Sequence, residues 1–324
     1  MALKSPTKRK GYWKAYEKAD IKDYRKVWNI TQEIVKKEGI PFKPKKMGRP
    51  PKLELWMYVC LAVLYVYFDD PFRETEQLLT LLTGKRLDHS NIIRWFGKLS
   101  PSYIDKLVYE VHLQIIKQSN EGDYLADSSG VTCDRYQDTL YRGETIKELV
   151  HWKIHIFAQY LLVLGLVSLV SVWATHGDVN DSPIFRKHLL KPSRVIPGKK
   201  CHADKAYFGK KNIYETKKSR LIPNFVPMER DYSDAALKRA VRDYDNEARK
   251  KNRGLVETPF GGLETEMDMK IRCRKSHHRN IVTCLLGLKH NIKTLLRVKA
   301  LIFFYFRTNL PPPKRLNTNW PFQI

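Results

Sequence analysis

Acidic residues are scarce relative to basic ones. The chain of 324 residues sets 34 Asp and Glu against 59 Lys and Arg, a formal net charge of +25. That excess is more than solubility requires. It suits a polyanionic partner, where each neutralised phosphate releases a counterion and makes binding salt-dependent. The basic residues run along the whole chain, which favours a folded nucleic-acid binder over a basic tail, a ribosomal-type protein or one working near anionic lipid. Cysteine is also sparse. The five present (Cys60, Cys133, Cys201, Cys273, Cys284) form no CxxC pair. Their scatter argues against a disulfide framework and a zinc site, and fits a reducing compartment, so a cytoplasmic, nucleoid-associated location is expected. Long apolar runs are missing too. Residues 161–174 (LLVLGLVSLVSVWA) are fewer than the ~20 a spanning helix needs, and His155 and Gln159 interrupt any upstream extension. Dense valine with Gly165 inside predicts a buried strand there. Residues 1–10 are basic but lead into no apolar core, so no secretory signal is expected. No internal repeat is found.

A hydrophobic content of 43% with 29% charged residues is that of a folded chain, and its length predicts about two domains at ~100–200 residues each. Residues 1–47 read as a basic leader with a helix around 23–37. Residues 48–120 read as a helical region, 121–297 as the catalytic domain and 298–324 as a C-terminal tail. Gly48-Arg49-Pro50 has two readings, a minor-groove hook or a stiff linker into the next helix. Helices are predicted over 53–68 and 72–82, the second stopped by Gly84, and a third from Ser90 as cap to about Leu99. On the third, Ile92, Phe96 and Leu99 share one face while Asn91, Arg94 and Lys98 share another. That outline fits a helix-turn-helix reader of DNA. A fourth helix is expected over 103–118.

From Asp123 the texture changes. Strands are predicted over 124–133, 152–160 and 161–175, then a helix over 180–190, and strands near 200–204 and 220–226. Helical stretches are expected over 232–251 and 253–297. Strands first, then strands alternating with helices, point to one mixed α/β sheet. Asp127 is expected at the end of an apolar strand, and Asp204 repeats the arrangement. If the two strands are neighbours, both carboxylates converge on one point, as a pair of Mg²⁺ ions ~3.5–4 Å apart requires. A third acid, Glu257, would come from a helix beside the sheet. Each acid taken alone has the more ordinary reading of a helix cap or turn residue. Trp152 is expected in the core, Asp181 as the cap of the helix that follows it, and His277-His278-Arg279 at the surface or on phosphate.

Four local sequences in order resemble the core of bacterial and archaeal insertion-sequence transposases of the DDE type. They are Asp127-Ser128-Ser129-Gly130, His151-Trp152-Lys153-Ile154-His155, Thr175-His176-Gly177-Asp178-Val179-Asn180-Asp181-Ser182, and Asp204-x-Ala206-x-Phe208. The resemblance covers roughly residues 48–295. It implies a ribonuclease-H-like mixed sheet flanked by helices, preceded by an all-helical DNA-binding region. It also implies Asp127, Asp204 and Glu257 as metal-binding catalytic acids, Mg²⁺ or Mn²⁺ as cofactor, and duplex DNA (terminal inverted repeats and target) as partner of a homo-oligomer. Asn91, Arg94, Lys98 and Arg253 are the candidate DNA contacts, and no membrane is involved. The family's third motif reads Tyr-x2-Arg-x3-Glu-x6-Lys. Here Lys250, Arg253, Glu257 and Glu264 fill the four places, so the central two match, and Glu264 and Glu266 are reserve ligands. The readings beside a transposase are a non-catalytic DNA-binding protein or inactive copy, and a ribonuclease-H-like nuclease that cuts without joining.

Overall fold

The computed structural model describes residues 11–19, 21–42, 50–117, 122–141, 144–161, 164–228, 232–248, 270–271, 273 and 275–307. Among these, six helices precede the first strand: α1 (Tyr12–Glu17), α2 (Tyr24–Glu38), α3 (Leu55–Phe68), α4 (Phe72–Thr83), α5 (His89–Phe96) and α6 (Pro101–Ile116). Their ends follow local chemistry. Asp23 caps α2 by accepting from the Arg25 and Lys26 amides, Gly84 ends α4 at φ 68°, and Ser100 caps α6 ahead of Pro101. Ser90 is not the cap of α5. Asp88 takes that place, accepting from the Ser90 amide at 2.8 Å, because a charged carboxylate is the stronger acceptor for the free amides of a first turn. Helix α3 is apolar on every side and is accordingly buried from Trp56 through Leu64.

Three long strands follow: β1 (Tyr124–Tyr141), β2 (Glu144–Leu161) and β3 (Leu166–His176). They pair antiparallel in succession. Two short strands, β4 (Lys200–Ala203) and β5 (Ile222–Phe225), extend the sheet on the other side of β1 and run parallel to it. The order is β3-β2-β1-β4-β5, with β6 (Lys270–Ile271) also pairing β1 at Thr132 and Cys133. The remaining helices are α7 (Asp181–Ile184), which continues as a π-turn over Phe185–Leu189, then α8 (Lys210–Lys218), α9 (Ala235–Arg242) and α10 (Ser276–Arg307). The protein is thus mixed α/β, with a mixed sheet flanked by helices. Within the stretch expected as helix over 253–297, Lys270 and Ile271 are strand and helix runs from Ser276; residues 249–269 lie outside the described residues.

Strand β3 is buried over residues 166–172 and reads as a near-continuous apolar run, as a strand covered on both faces does. Successive side chains alternate between faces. Ile154, Ile156 and Val131 join a core shared with α3, α6 and α10. Tyr124, Ala126 and Phe157 join a second core with Phe185, Tyr207 and Ile213. Residues 166–172 are buried throughout, and among the described residues no helix is long and apolar enough to cross a membrane. The first core runs from α1 to α10, across the expected boundary near residue 120, where 118–121 lie outside the described residues.

Two buried polar side chains tie these cores together. Asn291 on α10 accepts from the Leu169 amide at 2.8 Å and donates to the carbonyls of Leu169 and Val108, so one side chain ties α10 to β3 and α6. Asp105 on α6 is fully buried. It accepts from the Val172 amide at 3.0 Å and pairs with Lys191 and with Arg194 at 2.9 Å. A buried charge is tolerable only with such partners.

Candidate functional site

The two aspartates singled out from the sequence are brought to one place by strand register. In the parallel β1–β4 pair, Ala126 stands opposite Ala203, so Asp127 and Asp204 are the next residue of each chain segment. Both lie on the face opposite Ala126 and Ala203. The register is held from the other end of the pair. Asp123 accepts from the Lys200 amide at 3.0 Å and lies 3.2 Å from His202 Nε2, while His202 Nδ1 meets Asn224 on β5 at 2.9 Å. Burial opposes ionisation of Asp123, yet the bonds from His202 and Lys200 keep its carboxyl below the usual range.

One expectation needs correcting. Asp127 does not end its strand; β1 continues to Tyr141, paired with β2. What ends beside Asp127 is β4, so the acid sits where a neighbouring strand stops. Asp204 leaves β4 into a short 3₁₀ turn over Lys205–Tyr207, closed by the Tyr207 amide on its carbonyl at 3.0 Å. Asp204 is exposed and Asp127 half-buried. The Ser128 amide donates to Asp127 Oδ1 at 2.8 Å.

Tyr207 reports how closely acids gather here. Burial first, then the charges of Asp181, Asp127 and Asp204, push its hydroxyl well above the usual phenol range. Ser128 approaches that hydroxyl, but among the described residues no partner of hydrogen-bonding geometry satisfies it. An all-oxygen donor set from Asp127 and Asp204 fits Mg²⁺ or Mn²⁺ and does not fit a thiophilic metal. Glu257 and its reserves Glu264 and Glu266 lie outside the described residues, as does Arg253.

Asp181 is the residue that sequence reasoning undervalued. It was expected to cap the following helix, but Asn180 holds the cap position, and Asp181 is in the first turn of α7. Its carboxylate turns back to the sheet, accepting from Ser128 Oγ at 2.9 Å and lying 3.2 Å from His155 Nδ1 and 3.3 Å from Lys153 Nζ. Burial works against its ionisation, while His155, Ser128 and Lys153 together hold the carboxyl below the usual range. The available signal was Lys153-x-His155, two same-face strand residues carrying donors in an otherwise apolar run. His176 pairs with Asp178 at 2.9 Å, and Trp152 is in the core with its indole donating to Asn280 at 2.6 Å.

The candidate DNA-facing helix is α5. Ile92 and Phe96 are buried, Phe96 against Tyr65 and Phe72, leaving Asn91 half-buried and Arg94 and Lys98 exposed. Lys98 Nζ lies 3.4 Å from the centre of the Trp95 ring. The turn into α5 is locked by Glu76, whose Oε2 accepts from the His89 amide at 3.0 Å. Among the described residues, Glu76, Asp88 and His89 form a group whose potential metal-ligand atoms lie within 4.8 Å of one another; their hydrogen bonds already account for them as a turn clamp. His277 Nε2 meets the Gly97 carbonyl at 3.0 Å and His278 packs edge-on against Phe96. Arg279 is buried and donates to the Cys273 carbonyl. Of this cluster, expected at the surface or on phosphate, His277 is exposed, and it and His278 link α10 to α5.

No protein-family model matches the chain, and no curated protein matches it.

Proposed function

We propose that the chain is a DNA transposase of the DDE type, with a ribonuclease-H-like catalytic domain that cuts DNA at element ends and joins the freed 3′-hydroxyl to target DNA. The observation that supports this reading is the parallel β1–β4 register, in which Ala126 stands opposite Ala203, the residues just before Asp127 and Asp204. The formal charge of +25 supports a polyanionic substrate, and the exposed Arg94 and Lys98 support α5 as the DNA-contacting helix. Asp127 and Asp204 would hold the divalent cation, with Glu257 as third ligand and Glu264 or Glu266 in reserve. When bound, that cation supplies Lewis acidity to the attacking hydroxyl and neutralises charge on the leaving oxygen. The chain's own part is positioning: strand-borne carboxylates keep fixed places while basic residues hold the phosphate backbone, so the displacement runs in line.

The test uses duplexes taken from the DNA flanking the coding segment, where short inverted repeats are expected. Wild-type protein with Mg²⁺ should nick at the repeat end and give a joined product with target DNA. Asp127→Asn and Asp204→Asn should bind the duplex normally and lose at least about 10³-fold in cleavage, about 4 kcal/mol of barrier. Full cleavage by either variant refutes the assignment. Nicking without any joined product identifies a nuclease, and binding without nicking a non-catalytic copy.

A further inference from the structure

We propose that Asp181 is a positioning residue for Asp127, acting through Ser128; the inference rests on the metal-binding reading of the Asp127–Asp204 pair. Ser128 links the two acids directly. Its amide donates to Asp127 Oδ1 at 2.8 Å and its hydroxyl donates to Asp181 Oδ1 at 2.9 Å. Both bonds leave the same residue, so Asp181 restrains the peptide unit that orients Asp127.

The arrangement works from the far side of the sheet. Alternation puts Asp127 and Asp204 on one face, and Ser128 with its cross-strand partner His155 on the other. Asp181 arrives on that second face from the first turn of α7. Its Oδ1 is shared among Ser128 Oγ, His155 Nδ1 and Lys153 Nζ. An oxygen that accepts from the Ser128 hydroxyl and faces the Lys153 ammonium is occupied as an orienting acceptor and is poorly placed to act as a cation ligand. His155 is fixed in turn by Thr175 Oγ1 at 2.7 Å from its Nε2. Three strands and a helix therefore converge on one bond to Ser128. Partners of this kind, one step removed from a metal's ligands, govern the orientation of those ligands and hence affinity for the ion.

The experiment measures Mn²⁺ affinity of the full chain without DNA, by the loss of the free-ion paramagnetic resonance signal, with thermal melting as a control for folding. Asp127→Ala should lose binding. Asp181→Ala and Ser128→Ala should each weaken it by about tenfold, whereas Asp181→Asn, which keeps the Oδ1 acceptor, should bind more tightly than Asp181→Ala. Wild-type affinity in a folded Asp181→Ala, with binding lost in Asp127→Ala, overturns the positioning role and leaves the metal reading intact. Equal Mn²⁺ affinity in wild type and Asp127→Ala brings down the metal reading itself. If Asp181→Ala does not fold, Ser128→Ala decides. Asp181→Asn binding as poorly as Asp181→Ala rejects the hydrogen-bond route.

Discussion

At the scale of single residues, two buried histidines carry a pH dependence that the site does not explain. His112 on α6 meets Ser168 Oγ through Nδ1 at 2.9 Å. His290 on α10 meets the Val167 carbonyl through Nε2 at 3.0 Å. Burial, reinforced by Arg194, pushes His112 down to about 3; burial likewise pushes His290 down to about 4 despite the bond to Val167. The folded protein therefore binds fewer protons at these sites than the unfolded chain once pH falls below the ordinary histidine value near 6.5. Stability is fully present above that pH and is lost as pH falls towards 4, at up to about 1.4 kcal/mol per pH unit for each histidine. Urea midpoints at pH 7, 6 and 5 should fall in that order, and replacing His112 by Gln should flatten the trend. A midpoint independent of pH over this range would show that neither histidine is held neutral by the fold.

At the scale of elements, helix α10 lies against β3 at a glycine. A Cβ placed on Gly287 would come within 2.9 Å of Val172 Cγ2 and 3.2 Å of Val172 Cβ. Alanine would gain up to about 1 kcal/mol in helix propensity, but overpacking a tight contact costs about 1–3 kcal/mol. Gly287→Ala should thus be net destabilising in urea denaturation, and adding Val172→Ala should recover part of the loss. A Gly287→Ala variant more stable than wild type would mean that the helix shifts freely on the sheet. The element boundaries show the same division of influence. Gly84, Asp23 and the Ser100-Pro101 pair stop or start helices where the sequence predicts, because capping is a local matter. The helix predicted from 253 fails at Lys270 and Ile271, because pairing with β1 outweighs local propensity there.

At the scale of the whole molecule, the charge excess makes a demand on DNA affinity. A protein that neutralises about six phosphates loses about 10³-fold in affinity between 50 and 200 mM salt. Binding to duplex DNA should show that steep fall, and Arg94→Ala should weaken it and reduce the salt slope by about one. A flat salt response would exclude backbone phosphates as the main contact, and an unchanged slope in Arg94→Ala would remove α5 from the interface. The gathered acids at the β4 terminus stand against this basic background, which is what gives the Asp127–Asp204 pair its interest as a cation site.

The amino-acid sequence by itself determined the alternation of helices and strands, the buried character of residues 166–172, and the two aspartates worth watching. These are set by local periodicity, by turn chemistry and by residue type, all of which act over a few positions. The tertiary structure decided what no local pattern holds. The parallel register of β1 with β4 places Asp127 next to Asp204 across 77 residues of chain. The return of α7 to the sheet turns Asp181 from an expected helix cap into an acceptor for Ser128. The meeting of α10 with α5 sets His277 on the Gly97 carbonyl and His278 against Phe96, where the sequence suggested only a surface or phosphate contact. In each case the deciding interaction joins residues distant in sequence, and its free energy exists only once the chain has closed around them.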